Sequence, residues 1–231
     1  MSELTKTKNY MGIFWFLLAI LLFIGLVIHK PEIDTTTYTA LWLTEMITFL
    51  VIGIYFVKPT STTAMGAAIV SLVWLINQIA CWYGYGTYGG TYTIGEYGGT
   101  GIYIATALIN SLVFAFVLWQ NTASRERRLA IPTTSKDHKT YGMIAMCLML
   151  IFAIWKIWLD IQYGAFTGTT WAFSGFLWGF GILLMTLASL TVIFEAKEVA
   201  SIATIIAIAG FAISAYASLA YGLALRLLGV G

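Results

Sequence analysis

The chain has 231 residues, 60% of them hydrophobic and 10% charged, with a mean hydropathy of +0.87. A soluble domain carries about 25% charged residues, so this composition excludes an ordinary water-soluble fold and points to a chain immersed in lipid. The net charge of +2 is too small to suggest a nucleic-acid partner.

A hydrocarbon core about 30 Å thick needs about 20 apolar residues per helix. The first such stretch, 11–28, is uncharged and closed by His29, Lys30 and Pro31. Lys6 and Lys8 ahead of it suit a signal peptide, but no A-x-A cleavage pattern follows, so a retained helix is expected. The second span, 38–57, stops at Lys58-Pro59, and the third, 63–83, starts after a Thr/Ser cluster. A segment rich in Gly, Tyr and Thr follows over 84–101, with Glu96 its only charge. Span four, 102–119, leads into the strongly charged loop 120–141. Spans five and six are 142–162 and 171–194. Glu195-Ala196-Lys197-Glu198 connects tightly to span seven, 199–225.

The expected fold class is therefore an all-α bundle of seven transmembrane helices forming one polytopic domain over 1–231. The distribution of Lys and Arg orients it. One side receives Lys6, Lys8, Lys58, Arg125, Arg127, Arg128, Lys136, Lys139 and Lys197, and the other only Lys30 and Arg226, with Lys156 inside a span. Adding or dropping one span would destroy this nine-to-two asymmetry. By the positive-inside rule the N-terminus is expected in the cytoplasm and the C-terminus outside, in a multi-pass protein of the plasma membrane.

All three prolines fall in loops, so no proline kink is expected within a span. Cys81 and Cys147 fall near opposite ends of their helices, too far apart for a disulfide, and read as small buried packing residues.

Polar residues inside spans are costly in lipid and are functional-site candidates by default. They are Glu45, Asn77, Gln78, Asn110, Lys156 and Asp160. With a rise of about 1.5 Å per residue, Glu45, Asn77, Gln78 and Lys156 lie at similar depth, about 10 Å below the outer surface, and Asp160 lies nearer that surface. Lys156 and Asp160 are four apart and share a helix face. A Glu45–Lys156 pair completed by Asn77 or Gln78 is expected, acting as a structural clamp, or else as a path for an ion or polar substrate.

Small residues recur at packing intervals. Span seven carries Gly210, Ser214, Ser218 and Gly222, and span six carries the pair Gly175 and Gly179. Such faces let helix backbones approach closely, within this chain or against another subunit.

No cofactor or metal site is legible. The two histidines, His29 and His138, belong to opposite sides, and copper or zinc sites draw on several close imidazoles or thiolates. Met143, Met146, Cys147 and Met149 form a sulfur-rich patch that reads as packing. Gly84, Gly86 and Gly89 spell G-x-G-x-x-G, but they leave a membrane helix and do not join a strand to a helix, so the match is discarded. The Tyr-rich segment after span three suits an aromatic belt or a docking surface for a partner's extracytoplasmic part. The basic loop orients the chain and attracts anionic lipid head groups.

In coarse outline the chain resembles subunit III of haem-copper oxidases, which has seven spans and its N-terminus inside, but the histidine motifs of that family are missing. In the spacing of its spans and its aromatic segment it is similar to the A subunit of copper membrane monooxygenases. Neither likeness rests on a specific motif. A microbial-type rhodopsin is excluded, because span seven has no lysine for a retinal Schiff base. The leading expectation is a non-catalytic accessory subunit of a multi-subunit membrane complex, of the respiratory oxidase or copper-monooxygenase kind, with lipids and other membrane subunits as partners and no cofactor of its own. The alternative is a stand-alone ion or small-molecule transporter or channel using the Glu45/Lys156 region.

Overall fold

A computed structural model describes residues 3–28, 35–87, 99–123, 137–168 and 170–227. Seven helices cover them: α1 (Glu3–Ile28), α2 (Thr35–Val57), α3 (Ser61–Thr87), α4 (Gly99–Thr122), α5 (Asp137–Gln162), α6 (Thr170–Ile193) and α7 (Ala200–Leu227). Each contains a stretch long and apolar enough to cross a membrane, with mean hydropathy of 1.6 to 2.1. The all-helical seven-span architecture read from the sequence is the observed one, and the described residues contain no strand.

The helices overrun the expected apolar spans. α1 begins at Glu3 and includes Lys6 and Lys8, and α5 begins at Asp137. Hydropathy marks where lipid stops, whereas a helix continues as long as its backbone bonds are met. The helix ends have local causes. At the start of α3, the Thr63 amide donates to Thr60 Oγ1 (3.2 Å) and the Thr60 amide donates to Thr63 Oγ1 (2.9 Å), a reciprocal cap that satisfies two donors. α5 and α6 end alike. Ala165 N donates to the Asp160 carbonyl and Gly164 N to that of Ile161, while Ala196 N donates to Thr191 and Glu195 N to Val192. This is the Schellman pattern, whose turning residue is left-handed. Gly164 (φ 86°) supplies it in the first case, and Glu195 (φ 57°) in the second.

Six helices close a ring in the order α1, α2, α3, α5, α6, α7 and back to α1, while α4 lies outside it against α2 and α3. Aromatic rings fill the centre. Phe49 of α2 lies 5.3 Å from Trp15 of α1, 5.7 Å from Trp74 of α3 and 6.1 Å from Trp178 of α6. Phe152 of α5 lies 4.1 Å from Trp74. Trp15, Phe49, Trp74 and Phe152 are buried, and Trp15 Nε1 donates to Ser189 Oγ at 3.1 Å.

Glycines set two of the closest helix crossings. A Cβ built on Gly181 of α6 would lie 2.6 Å from the Gly210 carbonyl oxygen of α7, and one on Gly210 would lie 2.7 Å from that of Gly181. Gly12 of α1 and Gly53 of α2 meet the same way, at 3.0 and 3.1 Å. Without a hydrophobic driving force between helices in lipid, this close packing is a main source of association.

The face of the bundle carrying the α5 N-terminus holds an ion-pair knot. Glu195 lies 3.0 Å from Lys139 of α5 and 3.8 Å from Lys8 of α1. On this basic face Lys58 Nζ also donates to the Asn121 carbonyl and Tyr55 to that of His138. Arg125, Arg127, Arg128 and Lys136, also expected here, lie outside the described residues, as do His29, Lys30 and Glu96.

Cys147 does not match its expected burial. It is free and exposed, because the buried face of α5 runs through Gly142, Ala145, Met146, Met149, Phe152, Ala153, Lys156 and Asp160. Position 147 falls on the opposite side, so the sulfur-rich patch does not converge. The side chain of Cys81 lies outside the described residues.

Candidate functional site: a buried charge cluster

Three ionisable side chains are buried inside the span, toward the face opposite the basic one. Glu45 of α2 is 9% exposed, Lys156 of α5 is 8% exposed and Asp160 of α5 is 0% exposed. Lys156 Nζ donates to Asp160 Oδ2, one helical turn further along α5. The ammonium therefore extends toward the near end of its helix, as a long basic side chain does in a membrane. Glu45 takes a hydrogen bond from Trp178 of α6 and feels the charge of Lys156. The ion pair given by the geometry is thus Lys156–Asp160, with Glu45 beside it. The four-residue spacing on one helix holds the first pair in register whatever the neighbouring helices do.

α6 makes room for this cluster. A Cβ on Gly175 would lie 2.5 Å from Lys156 Nζ and 2.7 and 2.8 Å from the two Asp160 oxygens. One on Gly179 would lie 3.2 Å from Lys156 Cγ. The Gly175/Gly179 face thus receives the charged side chains of α5. Gly210 and Ser214 of α7 meet Gly181 of α6 instead. Ser218 donates to the Ser214 carbonyl of its own helix, and the surroundings of Gly222 lie outside the described residues.

The amides do not all join the charges. Asn77 of α3 donates to Thr106 Oγ1 of α4. Asn110 of α4 donates to the Thr44 carbonyl and to Thr48 Oγ1 of α2, both at 3.1 Å. Thr48 donates in turn to the Thr44 and Val70 carbonyls. These contacts form a second polar seam that ties the outlying α4 to α2 and α3. Gln78 is buried on α3 beside Asn77. Sequence reasoning named Asn77 and Asn110 but missed Thr44, Thr48 and Thr106. The available signal was spacing: Thr44 and Thr48, and likewise Thr106 and Asn110, are four apart and share a helix face. Gly181 was also missed, because it is two residues from Gly179 and so off the x-x-x repeat.

Several buried polar atoms have no hydrogen-bond partner, among them Asp160 Oδ1, Asn77 Oδ1, Asn110 Oδ1 and Trp74 Nε1. A native fold leaves few such atoms unmet. Among the described residues no three His, Cys, Asp or Glu side chains are grouped as a metal site. No family profile, curated protein or solved structure matches this chain.

Proposed function

We propose that this chain is a non-catalytic subunit of a larger membrane complex, of the kind that performs respiratory oxidase or copper-monooxygenase chemistry on other chains. Its basic face would lie in the cytoplasm of a cell bounded by the plasma membrane, as the excess of Lys and Arg on that face favours. The observation that carries the reading is the filled centre of the ring. Phe49, Trp15, Trp74, Trp178 and Phe152 come from five helices and close the axis with tilted and edge-on rings. Such a centre suits a rigid scaffold better than a conduit. Outside the ring, α4 exposes a broad apolar face that includes Leu108 and Leu112, which is available to lipid or to a neighbouring subunit.

Extraction in a mild detergent followed by native mass measurement tests this. The expected result is co-migration with other membrane chains that carry metal or haem. A lone monomer or homo-oligomer that keeps its fold would sink the reading. Orientation is tested separately, by placing single cysteines at Lys139 and at Gln162 in a Cys81→Ala, Cys147→Ala background. An impermeant maleimide should reach only the Gln162 position from outside the cell.

One observation favours a second reading, a transporter or channel. Three ionisable side chains stand buried within the span, a position in which charge commonly serves passage. Flux of protons or alkali cations through liposomes holding only this chain would support it, and the aromatic centre would then have to open.

A further inference from the structure

At the basic face α1, α2, α5 and α6 leave an open cleft between their ends. Lys8, Tyr55, Phe56, His138 and Lys139 line it, with Glu195 from the turn after α6. Lys8 lies in the second turn of α1, about 30 Å of helix rise from Ile28 at the far end. Lys139 lies in the first turn of α5, about 35 Å from Gln162. A hydrocarbon core is about 30 Å thick. Both ammoniums therefore fall at its edge, the level at which the phosphates of bilayer lipids lie.

The cleft already holds one anionic group, supplied by the chain itself. Glu195 points one oxygen at each lysine, Oε2 at 3.0 Å from Lys139 and Oε1 at 3.8 Å from Lys8. The second distance exceeds hydrogen-bond range, so charge alone joins Lys8 to that carboxylate. Two ammoniums thus share one carboxylate, and the His138 imidazole lines the same cleft. Glu195 stands on a surface turn with 41% of its side chain exposed, free to swing outward without disturbing a helix. Much of the remaining lining is apolar, with Phe56, Val192 and Ile193 buried behind the charged groups.

We infer that this cleft binds the phosphodiester of an anionic membrane lipid, taking the phosphate between Lys8 and Lys139 in place of the Glu195 carboxylate. Basic pockets between membrane helices hold anionic head groups in this way. Depth favours a lipid over dissolved phosphate, and so does the apolar part of the lining, which suits the glycerol and first methylenes of an amphiphile. An anionic head group is favoured over a zwitterionic one, because choline or ethanolamine brings a cation to a cleft that already has two. Glu195 acts as a built-in competitor, exchanged for the phosphate without any covalent step. The site is independent of whether the chain works alone or as a subunit.

Native mass spectrometry of the full chain, extracted in mild detergent and titrated with lipid, counts bound molecules directly. Phosphatidylglycerol should be retained in preference to phosphatidylcholine. A lysine beside anionic lipid contributes about a fivefold gain in affinity, so Lys8→Gln and Lys139→Gln should each weaken phosphatidylglycerol binding by about that factor. Glu195→Gln removes the competitor and should strengthen it. Lys6→Gln changes the net charge as much as Lys8→Gln, but Lys6 does not line the cleft, so binding should stay as it was. The basic segment 124–136 is common to every variant and cancels. An equal loss with Lys6→Gln would overturn the site in favour of diffuse surface attraction, and so would a Glu195→Gln variant that binds no better. Should one lysine variant fail to fold, the other and Glu195→Gln still decide. Equal retention of the two lipids would overturn the choice of head group. Displacement of the lipid by inorganic phosphate would overturn it in favour of a soluble phosphate.

Discussion

Trp178 of α6 hydrogen-bonds to Glu45 of α2 across the centre of the helix ring, while its own ring lies 6.1 Å from Phe49, one turn along α2. One side chain thus joins the charge cluster to the aromatic core. Trp178→Phe keeps an aromatic ring and removes the donor. An interhelical hydrogen bond in a membrane contributes about 0.6 kcal/mol on average and about 1.7 at most, so the variant should unfold earlier in detergent by an amount in that range. Repeating the change in a Glu45→Leu background separates the bond from the lost packing. The destabilisation should shrink there, and an unchanged loss would show that the bond contributes nothing.

The glycines of α6 are not equivalent. A Cβ on Gly181 meets backbone of α7 (the Gly210 carbonyl at 2.6 Å and Ser214 N at 2.8 Å), whereas a Cβ on Gly175 meets the ends of side chains. Backbone cannot step aside, but a lysine tip can. Gly181→Ala should therefore destabilise at the upper end of the about 1–3 kcal/mol typical of overpacking, with Gly175→Ala milder. Thermal unfolding of the two variants in one detergent decides the order, and the reverse ranking would contradict the geometry.

Asn110 is the main polar tie of α4, through the Thr44 carbonyl and Thr48 Oγ1. Interhelical hydrogen bonds in membranes average about 0.6 kcal/mol, with about 1.7 at most. Asn110→Leu should lower stability by an amount within that range and speed proteolysis of the loops flanking α4. A loss of several kcal/mol would mean that the seam is more than a local tie.

On the basic face, the hydrogen bond from Lys139 and its charge, with smaller help from Lys8, hold the Glu195 carboxyl below its ordinary value of 4.5. A carboxylate whose folded value is depressed stabilises the fold above its unfolded value. That contribution disappears as pH falls through the folded value. Glu195→Gln should thus cost stability at neutral pH, converge with the unaltered protein in acid below 4.5, and do so earlier in high salt. Because the pair is exposed, the cost is limited to about 0.2–1 kcal/mol. Glu195 also holds the left-handed position usually given to glycine. In high salt, where the ion pairs are screened, Glu195→Gly should consequently stabilise the turn. Melting curves across pH and salt test both statements.

The sequence by itself determined the number of helices, because runs of apolar residues as long as a bilayer is thick admit only one secondary structure. It also placed Glu45, Lys156 and Asp160 at neighbouring depths, since depth follows from counting residues along helices of fixed rise. Only the tertiary structure decided partners. Lys156 meets Asp160, Glu45 meets Trp178, and Asn77 turns to Thr106, because rotation about each helix axis and the order of helices in the ring are set by side-chain packing that no periodicity in these uniformly apolar spans records. Cys147 shows the same limit, its exposure being fixed by which face of α5 the neighbouring helices cover.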